Sequence, residues 1–372
     1  MKKTLALCMC AVMGLSILGC GSGQKDTTAA PAETKAPAET TAGAETTAAS
    51  EATQAAAGSG QDWSKQDIQV AVMWGAGGAL DTTIRAMAPY AEEQLNTSLI
   101  VTNRTGGGGS IAMQYVDSQP SDGFNILAAS EGGQLVKVMD TGAMDLDDFQ
   151  LINIYGAGYG VVLVAPDSPY NTIKELVDDI LANPGKIKMA SAGTSSSPFA
   201  INAMMTSVHQ TSPNLITYDG DNAAVTALMG GEVDYTAVSM VSAASYIKAG
   251  SVKALALISD EPMAELPDIP VITDTYPEYQ KYLPWTTFWG VWVKKDTPKE
   301  VVDELTEVFR VAADNEEFKA LLVSLGATPM NLSGDEATEY SNHYKSVTSW
   351  LIYDSGAAAK SPEEFNIPRV EE

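Results

Sequence analysis

Short apolar runs alternate with amphipathic segments from residue 67 onward. The runs at residues 68–74, 99–102, 124–129, 187–191, 215–218, 233–238 and 254–258 are each short enough for one strand. After the first run, apolar residues recur at helical spacing at Ile84, Met87, Ala88, Ala91 and Leu95, and helices are predicted between most of the others. Strands that alternate with crossover helices predict an α/β fold with parallel sheets, in which ligands bind at the carboxyl ends of the strands.

Helix boundaries are marked by capping signals at three places. Residues 172–175, Thr-Ile-Lys-Glu, predict a capping box for a helix that ends near residue 181, before the Asn-Pro-Gly at 183–185. Residues 297–300, Thr-Pro-Lys-Glu, combine an N-cap, a first-turn proline and a capping-box glutamate. Residues 333–336 are predicted to cap the last helix.

The first 60 residues differ in composition from the rest. Lys2 and Lys3 precede an apolar run at 5–18 that is shorter than the roughly 20 residues needed to span a bilayer. Ile-Leu-Gly-Cys at 17–20 reads as a lipobox, so we expect a signal peptide at 1–19 and lipid on Cys20. The alternative is an ordinary cleaved secretory signal. A lipid on Cys20 would anchor the protein on the outer face of the cytoplasmic membrane.

A tether is predicted to follow the lipid anchor at residues 20–61. Residues 21–60 consist almost wholly of Ala, Thr, Glu, Pro, Gly and Ser, with no aromatic residue. Such a segment cannot bury enough apolar surface to offset the loss of chain entropy, which predicts disorder.

The globular part is about 310 residues long, more than a typical single domain. We therefore expect two lobes, one formed by residues 62–163 plus 284–372 and the other by residues 164–283. Two chain crossings between the lobes would form a hinge.

The overall charge is strongly acidic. The chain has a net charge of −25, which becomes −27 once the leader with Lys2 and Lys3 is removed. This charge disfavours binding to nucleic acid or to anionic lipid.

The residue content also disfavours several kinds of chemistry. The cysteines other than Cys20 are Cys8 and Cys10, both in the leader, so we expect no disulfide and no cysteine metal site in the folded part. The two histidines, His209 and His343, lie in predicted helices, and no Gly-x-Ser-x-Gly motif accompanies them. We therefore expect no enzyme activity, metal or cofactor.

Glycine-rich or hydroxyl-rich turns follow three predicted strands. In the first turn, Gly77 and Gly78 would let a ligand approach the backbone, and the following helix N-terminus attracts carboxylates. Asp81 would be either an N-cap or a ligand contact. In the second turn, Ala192, Gly193, Thr194 and Ser195 bring amides and hydroxyls together, although one or two of its serines could merely cap the helix. The third turn contains Tyr218 and Asp219.

A fourth glycine run, at residues 103–110, lacks the Gly-Lys-Ser/Thr ending of a phosphate loop, so nucleotide binding is not expected. Its Arg104 would either pair with a ligand carboxylate or form a structural salt bridge.

Taken together, these motifs make residues 66–351 resemble the substrate-binding proteins of tripartite tricarboxylate transporters, the Bug family. The matching segments, in family order, are VMWGAGGALD at 72–81, VTNRTGGGG at 101–109, PSDGF at 120–124, NPGK at 183–186, SAG at 191–193, LMGGEVD at 228–234 and LPDIP at 266–270.

The resemblance implies a periplasmic-binding-protein-like fold of type II, with two α/β lobes closing on a small ligand. In the family this ligand is commonly a di- or tricarboxylate that is passed to a membrane permease, and backbone amides hold much of it. It also implies polar contacts from Ser130 and Glu131, and we expect the protein to act as a monomer.

This chain departs from the family pattern at three places that affect which ligand it would bind. The chain has Thr-Tyr-Asp-Gly at 217–220 where many members carry Pro-Tyr-Lys-Gly, Trp74 replaces a smaller aromatic, and Glu131 replaces a small or hydroxyl residue. If Glu131 or Asp219 faces the cleft, an amino acid or a weakly charged ligand is favoured over a multiply charged anion. If both face solvent, the carboxylate prediction stands.

A ligand sensor for a signalling partner and a purely structural surface protein are the alternative functions.

Overall fold

A computed structural model of the protein describes residues 60–370. The predicted signal peptide, Cys20 and nearly all of the predicted tether lie outside the described residues. Within residues 60–370, no helix has the length and apolar character needed to cross a membrane.

The described chain alternates strands and helices. The strands are β1 (Ile68–Val72), β2 (Leu99–Asn103), β3 (Asn125–Ser130), β4 (Phe149–Gly158), β5 (Gly160–Val164), β6 (Lys188–Ser191), β7 (Asn214–Thr217), β8 (Tyr235–Ser239), β9 (Lys253–Ile258), β10 (Thr287–Lys294) and β11 (Ala327–Leu332). The helices are α1 (Ala79–Leu95), α2 (Ser110–Asp117), α3 (Ile173–Ala182), α4 (Ser197–His209), α5 (Asp221–Met229), α6 (Met240–Lys248), α7 (Ile272–Thr275), α8 (Lys299–Ala313), α9 (Glu316–Ser324) and α10 (Gly334–Asp354).

The strands form two sheets, as expected for a two-lobe α/β fold. The first sheet has the order β11-β4-β10-β3-β1-β2, and the second has the order β7-β6-β8-β5-β9. The chain passes from the first sheet to the second at Tyr159, between β4 and β5, and returns between β9 and β10. Strand β5 thus pairs within the second sheet, although the predicted second lobe begins only at residue 164.

The prediction of parallel sheets is wrong, because both sheets are mixed. Strand β1 pairs in parallel with β2 and β3, but β10 runs antiparallel to both β3 and β4. In the second sheet, β5 runs antiparallel to β8 and β9. Strands β5 and β10 carry the chain into each sheet from the other one, so neither continues a strand-helix-strand crossover within its own sheet. Strand β11 also runs antiparallel to its neighbour β4.

The core of the first sheet is aromatic around β10. Trp289 and Trp292 are buried on this strand, and Phe288 packs edge-on against Tyr344 of α10. Burial on both faces explains why β10 lacks the alternation of apolar and polar residues that marks a half-exposed strand. This packing fixes α10 against the sheet.

Two of the three predicted helix caps differ in detail from the structure. The capping box of Thr172 and Glu175 forms as predicted. At α8, however, the N-cap is Pro298, and the Thr297 hydroxyl is buried without a hydrogen-bond partner. The extended backbone continues one residue further than predicted, which leaves Thr297 too early to cap the helix. Ser333 is the N-cap of α10, but its side chain makes no capping hydrogen bond.

Candidate functional site

A cleft lies where strand ends of the two sheets face each other. From the first sheet it is lined by Trp74, Gly78, Leu80, Ser130, Glu131 and Trp289. From the second sheet it is lined by Ala192, Ser196, Ser197, Gly220, Asp221 and Ser239. Most of these residues lie at the carboxyl end of a strand or in the loop and first helical turn that follow it, which is where open α/β sheets bind their ligands.

Four helices begin at this cleft. The lining residues include the first turns of α1, α4 and α5 and Ser239, the N-cap of α6. The first N–H groups of a helix have no partner within it, and the helix dipole adds a partial positive charge at the same end. Four such ends favour a negatively charged ligand group without any cationic side chain.

Asp81 fixes the loop between β1 and α1 through hydrogen bonds of its carboxylate. One carboxylate oxygen accepts a 2.9 Å hydrogen bond from the Gly77 N–H. The other accepts hydrogen bonds from Arg85 Nε at 2.8 Å and Asn103 Nδ2 at 2.9 Å. The N-cap of α1 is Gly78, so the prediction of Asp81 as an N-cap is wrong. Its oxygens are used to fix the loop.

Hydroxyl groups supply further polar atoms at the cleft. Ser130 Oγ accepts a 2.8 Å hydrogen bond from Trp74 Nε1, which orients the indole over the site. Ser239 lines the cleft and is 1% exposed, and its Oγ has no hydrogen-bond partner within residues 60–370. A buried hydroxyl without a partner is costly, so a ligand atom that bonds to it would stabilise the site.

Glu131 is the most strongly perturbed acid of the cleft. The residue is 3% exposed, and burial raises the pKa of its carboxyl to about 8. The negative charge of Asp221 contributes to this rise, and hydrogen bonds oppose it, including one from the Phe288 N–H at 3.3 Å. Glu131 is therefore largely protonated at pH 7.

Asp221 is the second acid of the cleft and the first residue of α5. Its Oδ2 accepts hydrogen bonds from the Ser239 N–H at 3.1 Å and from Ser242 Oγ at 3.2 Å. Burial raises the pKa of Asp221 to about 6, and these two hydrogen bonds oppose the rise. Asp221 is mostly ionised at pH 7, and its charge lies at the N-terminus of α6.

Basic side chains are absent from the residues that line this cleft. Arg104 neither reaches the cleft nor forms a salt bridge within the described chain. Its guanidinium lies over the Tyr115 ring, 3.4 Å from the ring centre. The structural salt bridge predicted for Arg104 is therefore absent from residues 60–370.

Glycines form the contacts between the loops of the two sheets. A methyl group added to Gly75 would overlap the carbonyl oxygen of Asp219, and one added to Gly132 would overlap that of Ser195. In each pair the glycine follows a strand of the first sheet and its partner follows a strand of the second. The loops therefore meet backbone to backbone across the cleft.

The structure brings together some of the predicted site residues. Those that line the cleft are Trp74, Gly78, Ser130, Glu131 and Ala192. Those that do not line it are Gly77, Asp81, Gly193, Thr194, Ser195, Tyr218 and Asp219. Ser195 is fully buried in the contact with Gly132, and the side chains of Thr194 and Asp219 are exposed. Tyr218 Oη donates to Glu232 instead.

Asp221, Ser239 and Trp289 are site residues that the sequence predictions missed. Asp221 lies in the third turn, and the rule that a helix N-terminus faces the ligand would have favoured it over Asp219. Ser239 directly follows the predicted strand at 233–238, so the strand-end rule would also have found it. Trp289 lies on β10, a strand that was not predicted.

The Glu131 carboxyl should make the ligand-free protein less stable as the pH rises. Its pKa is raised from an ordinary value of 4.5 to about 8, so the folded state holds a proton that the unfolded chain has lost. Between pH 4.5 and about pH 8, the free energy of unfolding therefore falls as the pH rises, by at most about 1.4 kcal/mol per pH unit.

Glu131→Gln should therefore become increasingly stable relative to the native chain between pH 5 and pH 8. Urea denaturation at several pH values measures the difference, and Glu265→Gln, at an exposed loop position, is the matched control. Parallel stability curves for Glu131→Gln and the native chain would contradict the raised pKa.

The fold and the cleft define the class of the protein: it is a periplasmic-binding-protein-like solute-binding protein. Residues 83–353 match the tripartite tricarboxylate transporter family receptor. The chain belongs to this family.

Individual relatives agree with the family match. A UPF0065 protein of Bordetella pertussis is 28% identical over 288 residues, which covers 77% of this chain and 88% of that protein. The structure of the periplasmic binding protein BugD has a TM-score of 0.74 at 24% identity, covering 79% of this chain and 99% of BugD. MatC from Rhodopseudomonas palustris, solved with bound malate, has a TM-score of 0.71 at 20% identity, covering 78% of this chain and 99% of MatC. These structures support the fold.

Proposed function

We propose that this protein is an extracytoplasmic solute-binding lipoprotein that captures a small organic acid and delivers it to the permease of a tripartite tricarboxylate-type transporter. The observation that carries the proposal is the convergence of four helix N-termini on one cleft in a member of this receptor family. Helix N-termini bind carboxylates through backbone N–H groups, so this site needs no basic side chain.

The ligand class is supported by one structural relative. MatC was solved with malate, a small dicarboxylate, and shares the fold of this chain. The cleft offers the first turns of α1 and α4, whose first N–H groups have no partner within their helices, and the unpartnered Ser239 hydroxyl, and these groups suit ligand oxygens. A carboxylate would lie with its oxygens toward the first turns of the helices.

Capture is proposed to occur by closure of two lobes, residues 62–163 plus 284–372 and residues 164–283. The chain crosses between the sheets twice, which is the arrangement of a hinge. Direct contacts between Gly75 and Asp219 and between Gly132 and Ser195 mark the surfaces that meet on closure. In the proposal, lipid on Cys20 and the tether keep a monomer near its permease.

The proposed function is tested by thermal unfolding of the purified protein with mono-, di- and tricarboxylates, amino acids and sugars. A ligand at 100 times its dissociation constant should add about 2.7 kcal/mol to the free energy of unfolding. We expect at least one carboxylic acid to stabilise the protein and calorimetry to give one site per chain. Stabilisation by sugars alone, or by none of these solutes, would contradict the proposal.

A further inference from the structure

The cleft combines two acids with helix N-termini, and this combination restricts the ligand. Glu131 and Asp221 both line it, and they lie close enough for the charge of Asp221 to act on Glu131. Among the residues that line the cleft there is no lysine, arginine or histidine. Asp221 is the member of this pair that is mostly ionised at pH 7, so a ligand with several negative charges would face its charge in a site of low dielectric constant, where like charges repel strongly.

The four helix N-termini are not equally available to a ligand. Asp221 already accepts hydrogen bonds from the Ser239 N–H and the Ser242 hydroxyl at the beginning of α6. Its carboxylate also lies at the N-terminus of its own helix, α5. The first turns of α1 and α4 therefore remain as places for a ligand carboxylate, on the two sides of the cleft.

We propose that the ligand is a carboxylic acid that also carries a protonated amine, such as an amino acid. Its ammonium group contacts Glu131 and Asp221, and its carboxylate is held by the first turns of α1 and α4. This inference rests on the proposed function and names the ligand class of the same site. The unpartnered Ser239 hydroxyl beside Asp221 fits this ligand too, because a hydroxyl can accept a hydrogen bond from an ammonium as well as donate one to a carboxylate.

Binding of such a ligand should release a proton from Glu131. The groups that face Glu131 are Asp221 from α5, the phenols of Tyr340 and Tyr344 from α10, and the Phe288 N–H from β10. None of these is a cation, so the carboxyl keeps its proton at neutral pH in the empty site. An ammonium group stabilises the ionised form, and its binding is therefore favoured by rising pH.

Matched pairs of ligands test the proposal on the native protein. We would measure dissociation constants at pH 6, 7 and 8 for aspartate against succinate, glutamate against glutarate, and 2-aminoadipate against adipate. The amino member of at least one pair should bind more tightly than its amine-free partner. Its affinity should rise by up to about tenfold per pH unit, as expected when binding releases one proton.

Two substitutions test the assigned contacts. Asp221→Asn and Glu131→Gln should each weaken binding of the amino ligand by at least about tenfold at pH 8, because a hydrogen bond to a charged group is lost. Glu131→Gln should also abolish the pH dependence. Asp167→Asn, at an exposed acid outside the cleft, is the matched control and should bind as the native chain does.

Each outcome separates this inference from the proposed function. Tighter binding of amine-free acids, with affinity that falls as the pH rises, would overturn the amino-ligand inference while supporting the proposed function. Retention of full affinity for the amino ligand in both variants would also overturn the inference. Failure of every acid and amino acid to bind would overturn the proposed function itself.

Discussion

Replacing Gly75 by alanine should weaken ligand binding at least about tenfold without unfolding the protein. The added methyl group would overlap the Asp219 carbonyl oxygen, which belongs to a loop of the other sheet. Hydrogen bonds fix the residue before each of these two, because Asn103 Nδ2 donates to the Trp74 carbonyl oxygen and the Tyr218 N–H donates to that of Ser191. Separation of the two lobes is therefore the simplest way to relieve the overlap. A protein whose binding-competent state is rarely populated binds with correspondingly lower affinity.

Calorimetry with the best ligand measures this loss, and thermal unfolding without ligand checks that the fold is intact. Gly132→Ala should act in the same way, because its methyl group would overlap the Ser195 carbonyl oxygen. Gly230→Ala is the control, since a methyl group there would meet its nearest neighbour at 3.4 Å and lies outside the contact between the loops. Native affinity in both Gly75→Ala and Gly132→Ala would show that these contacts do not limit closure.

Lys345→Met should lower the free energy of unfolding by about 3 kcal/mol, because it leaves a buried acid with one partner fewer. Lys345 Nζ lies 3.1 Å from Asp145 Oδ2, with both side chains buried, and it also pairs with Asp147. Lys137 contacts the other oxygen of Asp145 at 3.1 Å and compensates only in part.

Urea denaturation measures this effect, with Lys174→Met as the control. Lys174 pairs with Asp178 on an exposed face of α3, where such an ion pair contributes about 0.5 kcal/mol or less. A loss for Lys345→Met as small as that of the control would mean that Asp145 is well solvated without its second partner.

The Lys345 ion pairs also bear on the ligand site through α10. This helix holds the turn that carries Glu131, since Gln134 Nε2 donates to the Ser341 carbonyl oxygen at 2.9 Å. The same helix places Tyr340 and Tyr344 beside Glu131. We therefore expect Lys345→Met to weaken binding as well, by less than the Gly75 substitution, because the hydrogen bond from Gln134 remains.

Local sequence signals predicted many elements of this fold. The strand at 253–258 and the helix that follows the Thr172 capping box lie within one residue of their predicted positions. Both depend on contacts between near neighbours in the chain. Strands β4 and β10 were missed because they are buried on both faces, so their residues show no alternation that separates a strand from a buried helix.

The candidate site could be predicted only in part. The glycine and serine turns at strand ends were visible in the sequence, and Gly78, Ser130, Glu131 and Ala192 do line the cleft. Asp219 was preferred over Asp221 because it replaces a lysine in the family pattern, yet its side chain is exposed. Asp221 is the first residue of α5, so the helix N-terminus rule favours it, but only the structure shows that its side chain lines the cleft.

The sequence alone determined the motif series that makes the family recognisable and the alternation of strands and helices, because these depend on residue type and short-range spacing. It also yielded the predicted lipid anchor and tether. Only the tertiary structure decided which strands run antiparallel, which acid faces the cleft and how strongly burial raises the pKa of Glu131. These properties arise where the two sheets meet, between residues far apart in the chain, and no local pattern encodes such distances.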